Sequence, residues 1–303
     1  MILHADTTRG KKLAELLYQK FLSEGIHRRT SMPEDEPPDG VAQGSLEHLC
    51  FITFTVAIDY LRDAPTLWNN SRRTFSDPET RYLFYPKKLE QVGFEKVVLD
   101  MQKHGLSKKP ERDANIWHTL GITFSRKWGG DPLKFIKECE WDATKILASL
   151  KNDNHYSEGN FIHDFPNLRG PKIGPLWIRM LRDNIGITKI INLDKVPLPV
   201  DIHTARATLT TGVLRGQYTG NLERIFPEIR SVWADSVKGL TVKGRPMIAL
   251  DIDEPLWHLS KYGCSGNRDK MSGVCSAYSR CEAKDYCVKG KVRTEGPSVE
   301  ICT

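Results

Sequence analysis

Long apolar runs are the first thing this 303-residue sequence lacks. A membrane-spanning helix needs roughly 18 predominantly apolar residues in a row, and the richest stretch, residues 50–58, is broken by Thr53 and Thr55. The sequence therefore excludes a transmembrane protein. The opening MILHADTTRGKK has neither an apolar core nor a small-residue cleavage site, so it does not read as a secretory signal and the expected location is the cytoplasm.

Paired Cys-x-x-Cys knuckles are missing, as are repeats of solenoid length. β-branched alternation of period two is also scarce, its best case being the short residues 188–193. That scarcity predicts an all-α fold. Disorder is excluded by the supply of aromatic surface, 7 Trp, 9 Tyr and 11 Phe.

Among the residues that are there, Lys and Arg (44) exceed Asp and Glu (38) for a net charge of +6, which suits a polyanionic partner without demanding one. Residues 8–24 put Leu13, Leu16, Leu17, Phe21 and Leu22 on one stripe of an amphipathic helix closed by Gly25. The acidic, proline-rich residues 30–44 read as an exposed loop. Ser45 then opens a helix whose body, residues 49–61, is apolar nearly all round and belongs in a core. Further helical segments are expected at 65–68 and 87–103, from Pro110 through Ile116, Trp117, Leu120 and Phe124, and at 132–139 and 142–150.

Two segments carry chemistry. In LRGPKIGPLWIRML, residues 168–181, Gly170 and Gly174 flank Lys172 and Ile173 immediately before an amphipathic helix. Such a turn can aim backbone N–H groups at a phosphate with the positive end of the helix dipole behind them; an ordinary inter-helix turn has the same sequence. In PLPVDIHTAR, residues 197–206, Asp201 stands at a helix N-cap after a proline-stiffened approach.

The seven cysteines are unevenly placed. Cys50 and Cys139 stand alone, whereas Cys264, Cys275, Cys281, Cys287 and Cys302 crowd the last forty residues. In a cytosolic chain, clustered cysteines point to metal ligation rather than disulfides. Cys264, Cys275, Cys281 and Cys287 are separated by ten, five and five residues, four soft thiolates suited to an iron-sulfur cube or to tetrahedral zinc. Cys302 lies beside the terminus and reads as free.

Taken in order, the glycine turn, its helix, Val-Asp-Ile-His with Arg206 behind it and the four-cysteine tail resemble the helix-hairpin-helix DNA glycosylases, the superfamily of endonuclease III and the adenine and oxoguanine glycosylases. The resemblance covers residues 160–286. It implies a six-helix barrel over residues 45–200, and a second helical domain built from 1–44 with 201–303 and carrying a 4Fe-4S cluster. Zinc is the alternative at the cysteines. Gly170, Lys172 and Gly174 inherit the contact with DNA, and Asp201 inherits the catalytic role of stabilising positive charge on the sugar or orienting the attacking water. A carboxylate at a helix N-terminus suits that role.

The resemblance also has departures. Leu176 stands where bifunctional members carry the Schiff-base lysine, which implies a monofunctional enzyme with lyase activity, through Lys172, as the open alternative, and residues 187–199 read as an insertion. His203 and Arg206 have structural explanations, and Trp117, Trp128 and Trp177 read as core rather than as base-stacking platforms. Arg268, Lys270, Lys289, Lys291 and Arg293 are candidate phosphate contacts. The expected partner is duplex DNA with an extruded base, bound by a monomer and placing the protein at the nucleoid if the source is prokaryotic. An N-glycosidase acting on RNA or a nucleotide, and a non-catalytic DNA-binding protein, are the alternatives.

Overall fold

The computed structural model describes residues 2–21, 31–60, 62–157, 159–264 and 275–303. They divide into two compact units, Ser31–Lys195 and a second made of Met1–Thr30 with Val196–Thr303. The boundaries expected from the sequence stood at 44/45 and 200/201.

In chain order, the terminal unit begins with β1 (Ile2–Ala5) and α1 (Thr7–Phe21). The middle unit then supplies α2 (Leu46–Ala57), α3 (Ala64–Ser76), α4 (Pro86–Leu89), α5 (Phe94–Lys103), α6 (Pro110–Trp128), α7 (Pro132–Glu138), α8 (Ala143–Asn152), the hairpin β2 (Asn154–Ser157) and β3 (Asn160–His163), and α9 (Ile173–Asp183). The terminal unit resumes with α10 (Ile202–Thr210), β4 (Leu214–Asn221), α11 (Phe226–Ser236), β5 (Thr241–Val242), β6 (Arg245–Pro246), α12 (Asp253–His258), a π turn at Leu259–Gly263, β7 (Lys291–Glu295) and β8 (Ser298–Cys302).

The helices of the middle unit start where side chains can satisfy open N–H groups. Ser45 Oγ accepts from His48 N at α2, and Asp63, Asp131 and Asp142 do the same for α3, α7 and α8. Pro110 opens α6 and Gly129, at φ 61°, closes it. Every residue of α2 from His48 to Ala57 is buried. It packs on α3, α6, α7 and α9, and Phe51, Trp68, Phe75, Phe84 and Trp117 meet around it with ring centroids 5.2–5.9 Å apart. The helix expected at 87–103 is broken into α4 and α5, with Gly93 at the N-cap of the second.

The acidic stretch after Thr30 departs from its expectation. Residues 31–44 form turns, and Glu34 is buried there in an ion pair with Arg179 of α9. Asn184 Nδ2 adds a 2.9 Å bond to Asp35 Oδ1. Half the acidic charge of the segment thus serves the inside of the unit.

The all-α expectation needs correcting in the terminal unit. Four antiparallel strands in the order β1-β4-β8-β7 form a sheet. In β7 and β8, Val292, Thr294, Val299 and Ile301 face inward while Lys291, Arg293, Glu295 and Ser298 are exposed, a short period-two pattern. The residues joining them, Gly296 at φ 54° and Pro297, make the turn. Gly216, at φ 137°, lets β1 approach β4, since a Cβ there would collide with Ile2 O. The sequence's best case of period-two alternation, at 188–193, makes only an isolated bridge from Ile191 to Asp142. α10 is the central helix of this unit, in contact with α11, α12, the π turn, β4 and β7. Among the described residues, no helix is long and apolar enough to cross a membrane.

Candidate functional site

Asp201 stands at the N-cap of α10 with its backbone extended, and its Oδ1 accepts from His203 N at 2.8 Å and Thr204 N at 3.0 Å. These two bonds fix one carboxylate oxygen on the helix axis, where the helix dipole favours negative charge. The side chain is half-buried, so it is rigid while remaining within reach of solvent.

The rest of α10 is polar in an unusual way for a central helix. Arg206, 3% exposed, donates from Nε to Thr294 Oγ1 at 3.0 Å and from Nη1 to Ser260 Oγ at 3.2 Å. Ser260 Oγ also lies 3.2 Å from His203 Nδ1. Thr208 Oγ1 receives the indole N–H of Trp233 at 2.8 Å. One turn beyond Arg206, Thr210 Oγ1 lies 3.0 Å from Cys264 Sγ and 2.7 Å from Arg206 O. His203 and Arg206 therefore anchor α10 to the π turn and to β7. A bond to a neighbouring turn was the expectation for His203; a salt bridge or phosphate contact was the expectation for Arg206, which here donates to two hydroxyls.

The far end of this helix meets Cys264 and the chain beside Cys287. Val288 N donates to Thr210 O at 3.0 Å. Arg9 of α1 donates to Thr211 O at 2.6 Å and to Tyr286 O at 2.8 Å, with its guanidinium over the Tyr286 ring. From Cys275 onward the chain makes the same turn twice: Tyr278 N bonds Cys275 O and Lys284 N bonds Cys281 O, each followed by a short 3-10 turn that ends at the next cysteine. The repeat is legible in the sequence as C-x-A-x-x-x in CSAYSRCEAKDYC, a signal the spacing count alone passed over.

Burial, opposed by the Thr210 hydroxyl and aided by charge on Cys281, Cys287 and Cys275, pushes the Cys264 thiol up to about 12. Burial likewise raises Cys281 to about 11 and Cys287 in the same direction. Thiols are soft donors of a kind fit for a soft, positively charged centre. Among the described residues, however, no three His, Cys, Asp or Glu side chains are gathered closely enough to hold a metal ion. Arg268 and Lys270 lie outside the described residues. Cys302 is exposed in β8, while Cys50 and Cys139 are buried in the middle unit.

In the middle unit the glycine turn is preceded by the β2–β3 hairpin rather than directly by α8, so the local order is helix, β-hairpin, turn, helix. Gly170 is half-buried in the turn and Gly174 is buried inside α9. A Cβ on Gly174 would stand 2.7 Å from Leu168 O, so this glycine lets the helix close against its own approach. Lys172, the N-cap of α9, donates from Nζ to Asp59 O at 3.3 Å. Leu176 is 8% exposed. Trp117, Trp128 and Trp177 are core: their indole N–H groups donate to Leu83 O, Glu138 Oε2 and Thr53 Oγ1.

No protein-family model matches the chain, and no curated protein matches it. Among solved structures, a thermostable thymine-DNA glycosylase is similar with a TM-score of 0.49 and 12% identity, over 92% of this chain and 98% of that one. A likeness of that size decides nothing about the activity of this chain.

Proposed function

We propose that the protein is a DNA N-glycosylase that hydrolyses the bond between a sugar and a damaged, mismatched or modified base, without lyase chemistry. One observation carries the reading: the aspartate and the first of the four cysteines, singled out separately in the sequence, belong to the two ends of one helix. Asp201 caps α10 at its start, and Thr210 touches Cys264 at its finish. Arg206 locks the helix between them.

In this reading the Asp201 carboxylate faces the sugar as the glycosidic bond breaks. Its negative charge stabilises the developing oxocarbenium-like cation, and its fixed orientation means that little reorganisation accompanies the step. The base is read outside the helical stack, as chemistry on a paired base requires. The turn with Gly170, Lys172 and Gly174 would track the phosphate backbone, Lys172 exchanging a carbonyl partner for a phosphate. With Leu176 at the position a Schiff-base lysine would occupy, release ends at an abasic site and no covalent adduct forms.

Cys264, Cys275, Cys281 and Cys287 would hold a 4Fe-4S cluster, or zinc in its place. Either group supplies the positive charge that lets thiols raised by burial bind as thiolates, with release of protons. Arg9 ties the chain at Tyr286 to the end of α10, and the last three cysteines follow two matched backbone turns.

The test is base release from a panel of duplexes carrying uracil, thymine mismatches, oxidised purines and alkylated bases, with borohydride present in a parallel series. The expected result is free base from at least one duplex and no trapped adduct. Absence of release from every duplex, with release of base from RNA or a nucleotide instead, contradicts the proposal. Cluster content is tested separately by anaerobic purification: brown protein that bleaches when any of the four cysteines is changed to Ser supports iron-sulfur, and colourless protein with one zinc supports the alternative.

A further inference from the structure

Within the middle unit, at the start of α2, lies a cavity of about 400 Å³ that the proposed function does not use. Its walls come from Ser45 and Leu46, from Asp131 and Lys137 of the α7 region, from Trp141 and from the segment after α9 that includes Lys189. The volume falls in the range of small-molecule sites.

Two features make the cavity more than a gap between helices. Trp141, half-buried, is held with φ at 59°, directly after Glu140 at 55°. A bulky residue there is disfavoured, and the conformation is kept by bonds from Trp141 N to Ile136 O at 3.1 Å and from Ile191 N to Trp141 O at 2.8 Å. The indole is thereby presented to the cavity by the backbone rather than packed in the core like Trp117 and Trp177. Second, Lys189 Nζ lies over that indole, 5.6 Å from the ring centroid, and Lys137, also exposed, is a second cation lining the cavity. The single carboxylate among the lining residues, Asp131, is turned to its own helix, its Oδ1 accepting from Leu133 N at 2.8 Å. A flat π surface with one ammonium over it and a second lysine in the same cavity lining asks for a ligand that is aromatic at one end and anionic at the other.

We propose that this cavity binds a nucleotide, with the base on the Trp141 indole and the phosphate between Lys137 and Lys189. The base takes the place of the Lys189 ammonium over the ring, and the ammonium gains a charge-assisted bond to phosphate oxygen in exchange. Base–indole stacking is tolerant of base identity, so the site discriminates nucleotide from nucleoside and from phosphate more than one base from another. The ligand reaches the site either as a free nucleoside monophosphate or as the phosphorylated end of a strand.

The inference stands apart from Asp201 and is read by binding alone, so it survives or fails independently of the glycosylase proposal. The full chain is titrated by calorimetry with adenosine 5′-monophosphate, adenosine, inorganic phosphate and a 5′-phosphorylated single-stranded oligonucleotide. Tryptophan fluorescence is followed in parallel. The monophosphate should bind saturably, with adenosine and phosphate each at least ~10-fold weaker, since each keeps only one of the two contacts. Lys137→Glu combined with Lys189→Glu, both on exposed side chains, should weaken the monophosphate by at least ~10-fold with the circular dichroism unchanged. Stacking of the base should quench tryptophan fluorescence, and Trp141→Phe should remove that quench. Competition by the oligonucleotide identifies a strand end as the source, and its absence a free nucleotide; the proposal predicts one of these. Phosphate binding as tightly as the monophosphate, a charge-reversed variant that binds like the native chain, or no saturation at millimolar ligand overturns it.

Discussion

The two central helices, α2 and α10, do the same architectural job with opposite materials. α2 is LEHLCFITFTVA, buried from His48 to Ala57 and surrounded by aromatic rings. α10 is IHTARATLT, just as central, yet its buried face carries Thr204, Arg206, Thr208 and Thr210. Burying a polar group costs free energy unless it is bonded, and α10 spends its polar side chains on named partners in the π turn, β7, α11 and the thiol loop. A helix chosen for stability alone would look like α2. The polar interior of α10 fixes the register of that helix against its surroundings, and with it the position of Asp201.

The comparison can be broken in either unit. The largest effect is expected from Arg179→Met in the middle unit. It leaves Glu34 buried without its cation, a change that costs about 3–5 kcal/mol. Urea denaturation should show that loss, and hydrogen exchange should rise in residues 31–195 with the sheet of the terminal unit unaffected. A loss below about 1 kcal/mol would mean that the segment after Thr30 is held by its apolar contacts instead.

His48 gives the middle unit a dependence on pH. Burial lowers its pKa from 6.5 to about 4, and its Nδ1 accepts from Gly44 N at 3.1 Å. The unfolded chain therefore binds this proton more readily than the folded one. The stabilisation is complete above pH 6.5 and is lost as the pH falls towards about 4, by about 3 kcal/mol in total. His48→Gln, which keeps an acceptor for Gly44 N, should flatten that part of the stability profile between pH 7 and pH 4. An unchanged slope would show that His48 is not the responsible group.

The smallest effect is expected in the terminal unit from Arg9→Met. Its two bonds, to Thr211 O and Tyr286 O, are worth about 2 kcal/mol together. Exchange should rise in β4, β8 and the thiol loop while α2 stays protected. Equal exchange in both units would contradict a role for Arg9 confined to the terminal unit.

Much of the middle unit is legible in the sequence because its signals are local: Ser45, Asp131 and Asp142 as caps, Pro110 as an opener, and apolar residues at helical spacing along α6. Asp201 as a cap was legible for the same reason. The sheet was not. Its strands take five residues each in β7 and β8, and their alternation is carried by Val292, Thr294, Val299 and Ile301 between charged neighbours. The turn at Gly296 and Pro297 between two such alternations was the available signal. β1 pairs with β4 across more than two hundred residues, a contact no local pattern encodes. The segment after Thr30 misleads in the opposite way: its acidity reads as solvation, and only the arrival of Arg179 makes Glu34 an inside residue. The partners of Arg206 were hidden likewise, because Ser260 and Thr294 have no pattern of their own.

The measurement that bears most directly on the role of α10 is single-turnover base release by Asp201→Asn, on whichever duplex the native chain processes, beside its dissociation constant for the same duplex. Asn keeps an oxygen to accept from His203 N and Thr204 N, so the cap and the fold should survive. Only the charge is lost. Release should slow by about 10²-fold or more, as expected for removal of a preorganised electrostatic group, while DNA affinity is equal or tighter because an anion near phosphates has gone. Native-rate release by the folded variant would contradict the assignment of Asp201.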